Sequence, residues 1–310
     1  MSELSSTRTQ EKPAAWSDAL PFASPWFWLA CLIVLKLVAP FVPVPNLALS
    51  LVTSIFFTFA YVVAVVMFIA QATRFPLSLV QRVALLGGTI ILWSVFSRMI
   101  PPEGAPPLPL LKGAFLLTAV DLLLLLCATF GGSVVAQLKQ ISSPNFVGPL
   151  CGLLAMLDVW FVLYNGIASQ IIKSAPTYAA KVTAAAPAVG AATSKAAQFA
   201  FHPVGIGAAD YLFIGFFFAI MHRFGMNWHA STKWMIVLIS GALLAVMLGI
   251  GALPGLLFIG LGAAIPNLKF FEYSKEEKLA LLQAGGFVVL LTIGIYFAQP
   301  LIIARMQQVK

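Results

Sequence analysis

Successive apolar runs, each close to the length that crosses a bilayer, limit most strongly what this chain can fold into. A transmembrane helix needs about 20 consecutive apolar residues. Nine apolar runs follow one another between charged, proline or glycine residues, at 26–43, 47–70, 83–100, 108–130, 146–172, 204–222, 233–251, 254–267 and 279–303. The eighth is short, which is compatible with a half-span or a tilted segment as well as a full crossing. Only 9% of the residues are charged, against about a quarter in a soluble domain. The pattern predicts an all-α polytopic membrane protein, a bundle of about nine transmembrane helices.

The domain organisation follows from what lies between and outside these runs. Residues 1–25 are polar and predict a disordered N-terminal tail, residues 26–303 predict a single transmembrane bundle, and residues 304–310 a short tail. The stretch 173–203 is made mainly of small residues, proline and lysine without an acid, so we expect a mobile loop. Phe130-Gly131-Gly132 predicts the end of the fourth helix, because glycine tolerates the turn that ends a helix.

Charge and cysteine content exclude several other classes of protein. The net charge of +8 is typical of basic loops beside a bilayer, and no basic run suggests a nucleic-acid partner. Lysine and arginine are slightly more numerous on the N-terminal side of the predicted spans, which favours a cytoplasmic N-terminus. The three cysteines form no close pair, so neither a disulfide nor a metal site is expected.

Three aspartates inside apolar runs are the most informative residues, because a charged side chain at the bilayer centre costs about 3 kcal/mol on insertion scales. Asp121 is followed by five leucines, which predicts a structural, protonated carboxyl bonded to a neighbouring helix. Asp158 shares one helix face with Asn165 and Ser169, as expected of a wet interior. Asp210 follows Gly205-Ile206-Gly207, where another chain can approach the backbone closely.

Two such carboxyl groups facing each other have chemistry available without a metal, a cofactor or a nucleophilic side chain. Like charges that lie close together share a single proton. One carboxyl group can then act as a general base on water while the other acts as an acid toward a carbonyl oxygen. A loop joins the two helices, and the depths of Asp158 and Asp210 match only if the fifth helix leaves the membrane near Gly166.

Three stretches resemble the presenilin and signal peptide peptidase family of intramembrane aspartyl proteases, and they follow the family's order. Leu157-Asp158-Val159-Trp160 resembles its first catalytic helix, and GIGAADYLFIGFFFAIMHRF, residues 205–224, resembles its Gly-x-Gly-Asp helix. Leu253-Pro254-Gly255-Leu256 is similar to its Pro-Ala-Leu motif. Leucine replaces the family's tyrosine before Asp158, two residues are added before Asp210, and Gly255 replaces alanine. Four spans precede the first aspartate where the family has five.

The resemblance implies a function for residues 146–267, the protease-like core. It implies that Asp158 and Asp210 are catalytic. It also implies that substrate contacts Gly205, Gly207, Pro254, Gly255 and Leu256. The partners would be a transmembrane peptide or protein substrate and the lipid bilayer. The location would be the inner membrane of a prokaryotic cell. The reaction would require no cofactor or metal.

Two other functions are compatible with the same residues. A proton- or cation-coupled transporter would use Asp121, Asp158 and Asp210 as binding groups, although no inverted repeat is visible. A catalytically inactive presenilin-like scaffold would result if the added residues before Asp210 misalign the pair. Metalloproteases and rhomboid-type serine proteases are excluded, because neither HExxH nor Gly-x-Ser-Gly occurs in a predicted span.

Overall fold

Helices make up most of the described part of the chain. The computed structural model describes residues 24–44, 46–101, 109–160, 162, 182–187, 189–190, 205–250, 253–283, 285–287, 289–290 and 293–294. Almost all of the predicted N-terminal tail, most of the predicted loop, Asn165, Ser169, Gly166 and the tail 304–310 lie outside these residues.

Eight helices and two short strands are numbered here in chain order. The helices are α1 (Pro25–Val38), α2 (Leu47–Ala72), α3 (Leu79–Arg98), α4 (Leu110–Val135), α5 (Val147–Val159), α6 (Ala208–Phe224), α7 (Trp228–Met247) and α8 (Gly255–Ala264). The strands are β1 (Thr183–Ala185) and β2 (Gly205–Gly207), and 3-10 turns occupy Ala39–Phe41, Pro144–Phe146 and Ile265–Phe270. Residues 275–283 are also helical. The all-α prediction is confirmed.

Polar caps fix where three of the four long helices, α2, α3 and α7, begin. The Asn46 side chain accepts a hydrogen bond from Leu49 N at the start of α2, and Asn227 does the same for Ala230 N at the start of α7. Ser78 and Gln81 form a reciprocal capping box on α3. Each cap satisfies a backbone donor that has no partner inside the helix. The cap at Asn227 explains why α7 begins at 228 rather than at the predicted 233.

Four helices are long and apolar enough to cross a membrane: Ala48–Ala72, Leu79–Arg98, Leu111–Val135 and Trp228–Met247. Only 11% of the apolar window of α3 is buried inside the protein, and Val80, Ile91 and Val95 on this helix are more than half exposed. An exposed apolar surface of this size is unfavourable in water and favourable in contact with lipid. The membrane location and the count of nine spans stay predictions.

Helix α6 occupies the centre of the bundle. It packs most extensively against α4, which lies between α3 and α6, and it also touches α2, α7 and α8. Its side chains Tyr211, Phe217, Phe218 and Ile220 are fully or almost fully buried. Helix α8 packs along α5 on one side and α7 on the other, so it lies between α5 and α7, and it also touches α6.

The predicted end of the fourth helix at Gly131-Gly132 is wrong, because α4 continues to Val135. A Cβ atom added to Gly132 would lie 2.5 Å from the backbone nitrogen of Phe216 on α6. A Cβ added to Gly215 would lie 3.1 Å from Thr129 Cα on α4. These glycines allow α4 and α6 to pack closely against each other, and they do not form a turn.

The predicted start of the sixth span at 204 is also wrong, because Gly205–Gly207 form a strand and the helix begins at Ala208. β2 pairs antiparallel with β1, with Thr183 opposite Gly207 and Ala185 opposite Gly205. The predicted mobile loop 173–203 therefore contains an ordered strand at 183–185, which also packs against α4. Pairing satisfies backbone groups that an apolar environment would leave without partners.

Candidate active site

Asp158 and Asp210 both contact the backbone at the start of α8. Asp158 lies in the last turn of α5, which runs alongside α8. The backbone nitrogen of Leu256 donates a hydrogen bond of 2.6 Å to Asp158 Oδ2. The first N–H groups of a helix have no hydrogen-bond partner inside the helix. The Asp158 carboxyl group supplies such a partner at the start of α8.

Asp210 reaches the same point from the other side. It lies in the first turn of α6, where its Oδ2 accepts a hydrogen bond of 3.1 Å from Gly207 N. A Cβ atom added to Gly255 would lie 2.9 Å from Asp210 Oδ1 and 3.2 Å from Asp210 Cγ. The absent side chain of Gly255 therefore lets α8 contact the Asp210 carboxyl group directly.

Neighbouring residues of α8 thus contact the two carboxyl groups, Gly255 that of Asp210 and Leu256 that of Asp158. Standard backbone dimensions place these groups within about 10 Å of each other, and they interact electrostatically. Both aspartates are partly exposed. Pro254 precedes α8 as its N-cap residue in an extended conformation, so the chain turns into the helix at this point.

The two glycines before Asp210 differ in position. Gly207 donates to the Asp210 carboxyl group, whereas Gly205 is exposed at the other end of β2 and lies against the Thr183 side chain. The structure therefore brings Asp158, Asp210, Gly207, Gly255 and Leu256 together and leaves Gly205 one strand length away.

Asp121 lies outside this group. Its carboxyl group forms a salt bridge with Lys36 of α1, and both side chains are largely buried. The predicted bond to a neighbouring helix is present, and its partner is a lysine. A signal did exist in the sequence, since Lys36 also lies in an apolar run and an intramembrane lysine needs an acidic partner.

A buried pair of tyrosines was missed by the sequence reasoning. The hydroxyl groups of Tyr61 on α2 and Tyr211 on α6 are 2.7 Å apart, and neither residue is more than 2% exposed. The Lys36 ammonium group lies 5.3 Å from the centre of the Tyr61 ring. No spacing rule links two tyrosines that are 150 positions apart in the chain.

Metal ligands do not cluster in the part of the chain that the structure describes. No group of three or more His, Cys, Asp or Glu side chains converges there.

No family model, curated protein or solved structure matches the chain. The resemblance to presenilins and signal peptide peptidases stays a prediction carried by the motif residues.

Proposed function

We propose that this chain is an intramembrane aspartyl protease, similar to presenilins and signal peptide peptidases, that hydrolyses peptide bonds within transmembrane helices. The observation that carries the proposal is the contact of both motif aspartates with the first turn of α8, at Gly255 and Leu256. Three separate stretches of sequence supply that contact, and they are the three that resemble the family motifs.

The chemistry follows from two carboxyl groups held close together. Simultaneous ionisation of both is costly, so the pair holds one proton between its members. The ionised carboxylate takes a proton from a water molecule while the water oxygen attacks the carbonyl carbon of the scissile amide. The protonated carboxyl group gives its proton to the carbonyl oxygen, which yields a neutral tetrahedral diol.

Collapse of this diol completes the hydrolysis. One hydroxyl group returns its proton to a carboxylate, the other carboxyl group protonates the amide nitrogen, and the carbon–nitrogen bond breaks. The products are a new carboxyl terminus and a new amino terminus, and the aspartate pair again holds one proton. No metal, cofactor or covalent intermediate enters this sequence.

The substrate must present an extended backbone, because helical hydrogen bonds shield the amide from attack. β2 leads directly into the turn that carries Asp210. In the described part of the chain β2 pairs with β1 alone, and a strand edge is a common docking place for an extended peptide. We therefore assign substrate contacts to Gly205, Gly207 and the segment Pro254–Leu256.

The location we propose is a membrane, specifically the inner membrane of a prokaryotic cell. Support comes from the four long apolar helices and from the exposed apolar face of α3. The partners are then the surrounding lipid and a transmembrane peptide or protein.

The test is cleavage of a labelled transmembrane peptide by the purified full-length protein in lipid. Asp158→Asn and Asp210→Asn, made separately, should each reduce cleavage below detection, because either change removes a proton acceptor or donor from the pair. Mass spectrometry of the products measures the cut directly, and circular dichroism shows whether each variant keeps its helices.

Glu277→Gln is the matched control. Glu277 accepts a backbone N–H bond at a helix start, from Ser274, as Asp210 does from Gly207. This variant should cleave like the wild type. Cleavage retained in either aspartate variant contradicts the proposal. Uptake of protons or cations in liposomes, lost in these variants while no peptide is cut, would indicate the transporter. A folded wild type without either activity would indicate the scaffold.

A further inference from the structure

A buried polar cluster lies beside the candidate site and has no part in the chemistry above. It consists of Lys36, Tyr61, Asp121 and Tyr211, and is called the tyrosine cluster below. Helices α1, α2, α4 and α6 each contribute one of these residues. Lys36 pairs with Asp121, its ammonium group lies against the Tyr61 ring, and Tyr61 bonds to Tyr211.

Such a cluster is a costly way to fill a helical interface. Removing two charges from water costs several kcal/mol per ion, and apolar residues of similar volume often stabilise a fold as well or better. A buried hydroxyl group also needs its partner. The arrangement therefore specifies one geometry among helices that apolar packing alone would leave free to slide or rotate.

The geometry that it specifies is that of the first turn of α6. Tyr211 follows Asp210 directly in the chain, and this turn has few internal hydrogen bonds because helix starts lack them. Among the described contacts, Gly207 N holds the Asp210 side chain, and the hydroxyl group of Tyr61 holds Tyr211. Rotation of this turn would move the Asp210 carboxyl group away from Gly255.

We propose that Tyr61 is a positioning residue, which acts through Tyr211 to fix the direction of the Asp210 carboxyl group toward α8. The Lys36 ammonium group, which is paired with Asp121, lies against the Tyr61 ring and so contacts the same residue. The catalytic consequence of this assignment rests on the proposed function. The structural consequence, which is a fixed first turn in α6, does not depend on the proposed function.

The test is Tyr61→Phe in the full-length protein, which removes one hydroxyl group and keeps the ring. We expect kcat on the labelled peptide to fall about fivefold, the factor that corresponds to one neutral hydrogen bond, with KM unchanged. Tyr211→Phe should give the same loss, and the double variant should lose no more than either single variant, because both remove the same bond.

Tyr273→Phe is the matched control. It also removes a hydroxyl hydrogen bond, from Tyr273 to the Asn145 carbonyl oxygen, at the end of α5 remote from Asp158. It should leave kcat unchanged. A fall in melting temperature of Tyr61→Phe with wild-type kcat would mean a structural role only, and would overturn the proposal.

Amide hydrogen exchange separates this proposal from the proposed function. Tyr61→Phe should accelerate exchange at residues 207–211 relative to the wild type and to Tyr273→Phe. This result supports the positioning role even if the wild type cleaves no peptide, a failure that counts against the protease alone. Unchanged exchange in this turn overturns the positioning role whether or not peptides are cleaved.

Discussion

Gly255 determines, at the scale of a single residue, how closely α8 approaches Asp210. The added Cβ atom of an alanine would lie 2.9 Å from Asp210 Oδ1 and 3.3 Å from Asp210 Oδ2, closer than nonbonded atoms normally come. Alanine is the family's residue at this position, but in this chain the space is taken by the carboxyl group itself. The side chain of Asp210 would have to move.

On the proposed function, Gly255→Ala should reduce peptide cleavage about tenfold, since small displacements of a catalytic group cost large factors in rate. The melting temperature should stay close to that of the wild type, because only the end of one side chain has to yield. Gly241→Ala is the control, as a Cβ there meets nothing within 4 Å. Equal cleavage by Gly255→Ala and Gly241→Ala would refute the contact.

Lys36 and Asp121 stabilise the bundle only as a pair. Lys36→Met leaves a buried carboxyl group without its cation, so the free energy of unfolding should fall by about 3 to 5 kcal/mol. The double variant Lys36→Met/Asp121→Leu removes both charges and should recover most of this loss. Thermal unfolding in detergent measures the difference. A single variant as stable as the double variant would show that the ion pair has no such role.

At the scale of the elements, the contact between α4 and α6 holds the centre of the bundle. Glycines on both helices let the two backbones touch, and Arg223 near the end of α6 donates to the carbonyl oxygens of Ala136 and Leu138 beyond the end of α4. That donation satisfies carbonyl groups that a helix end leaves without partners. The position of α6, and with it Asp210, depends on this contact.

Gly132→Ala should lower the free energy of unfolding by about 3 kcal/mol, at the upper end of the range for overpacked sites. The atoms that its Cβ would meet belong to the backbone of α6 and cannot rotate away. Gly88→Ala on α3, where a Cβ meets nothing within 4 Å, should be neutral or slightly stabilising. Melting temperatures of the two variants in detergent check this, and equal values would contradict the close packing.

Helix α8 is fixed at its far end by a buried amide. Asn267 accepts a hydrogen bond from Asn227 N and donates to Ser231 Oγ and to the Ala263 carbonyl oxygen. These bonds join the turn after α8 to the start of α7. The C-terminal end of α8 is thus fixed against α7. This contact also limits how far the first turn of α8, at the candidate site, can shift along the helix axis.

At the scale of the whole molecule, the apolar runs predict most of the architecture. The second run, 47–70, corresponds closely to α2 at Leu47–Ala72, because such runs form helices wherever their length allows. Boundaries at glycine were less predictable. The sequence around Gly132 does not show that this glycine serves a helix contact. Likewise, the sequence around Gly205 does not show that it lies in a strand.

The candidate site was predictable in its residues but not in its contacts. Motif resemblance pointed to Asp158, Asp210 and Gly255, yet the bond from Leu256 N to Asp158 joins positions 98 apart. The pairs Lys36–Asp121 and Tyr61–Tyr211 join positions 85 and 150 apart. Such contacts depend on how helices pack, and the hydrophobic pattern of one helix does not encode its partner.

The convergence of Asp158 and Asp210 at the start of α8 is the claim on which the rest depends, and cysteine cross-linking measures it directly. Cysteines replace both aspartates in a full-length background in which Cys31, Cys127 and Cys151 are alanine. A short bifunctional thiol reagent, applied to the protein in lipid, should join the pair. The control pair, Asp210→Cys with Glu277→Cys, should stay unlinked. No link between positions 158 and 210, while each cysteine alone reacts with a monofunctional reagent, would contradict the account.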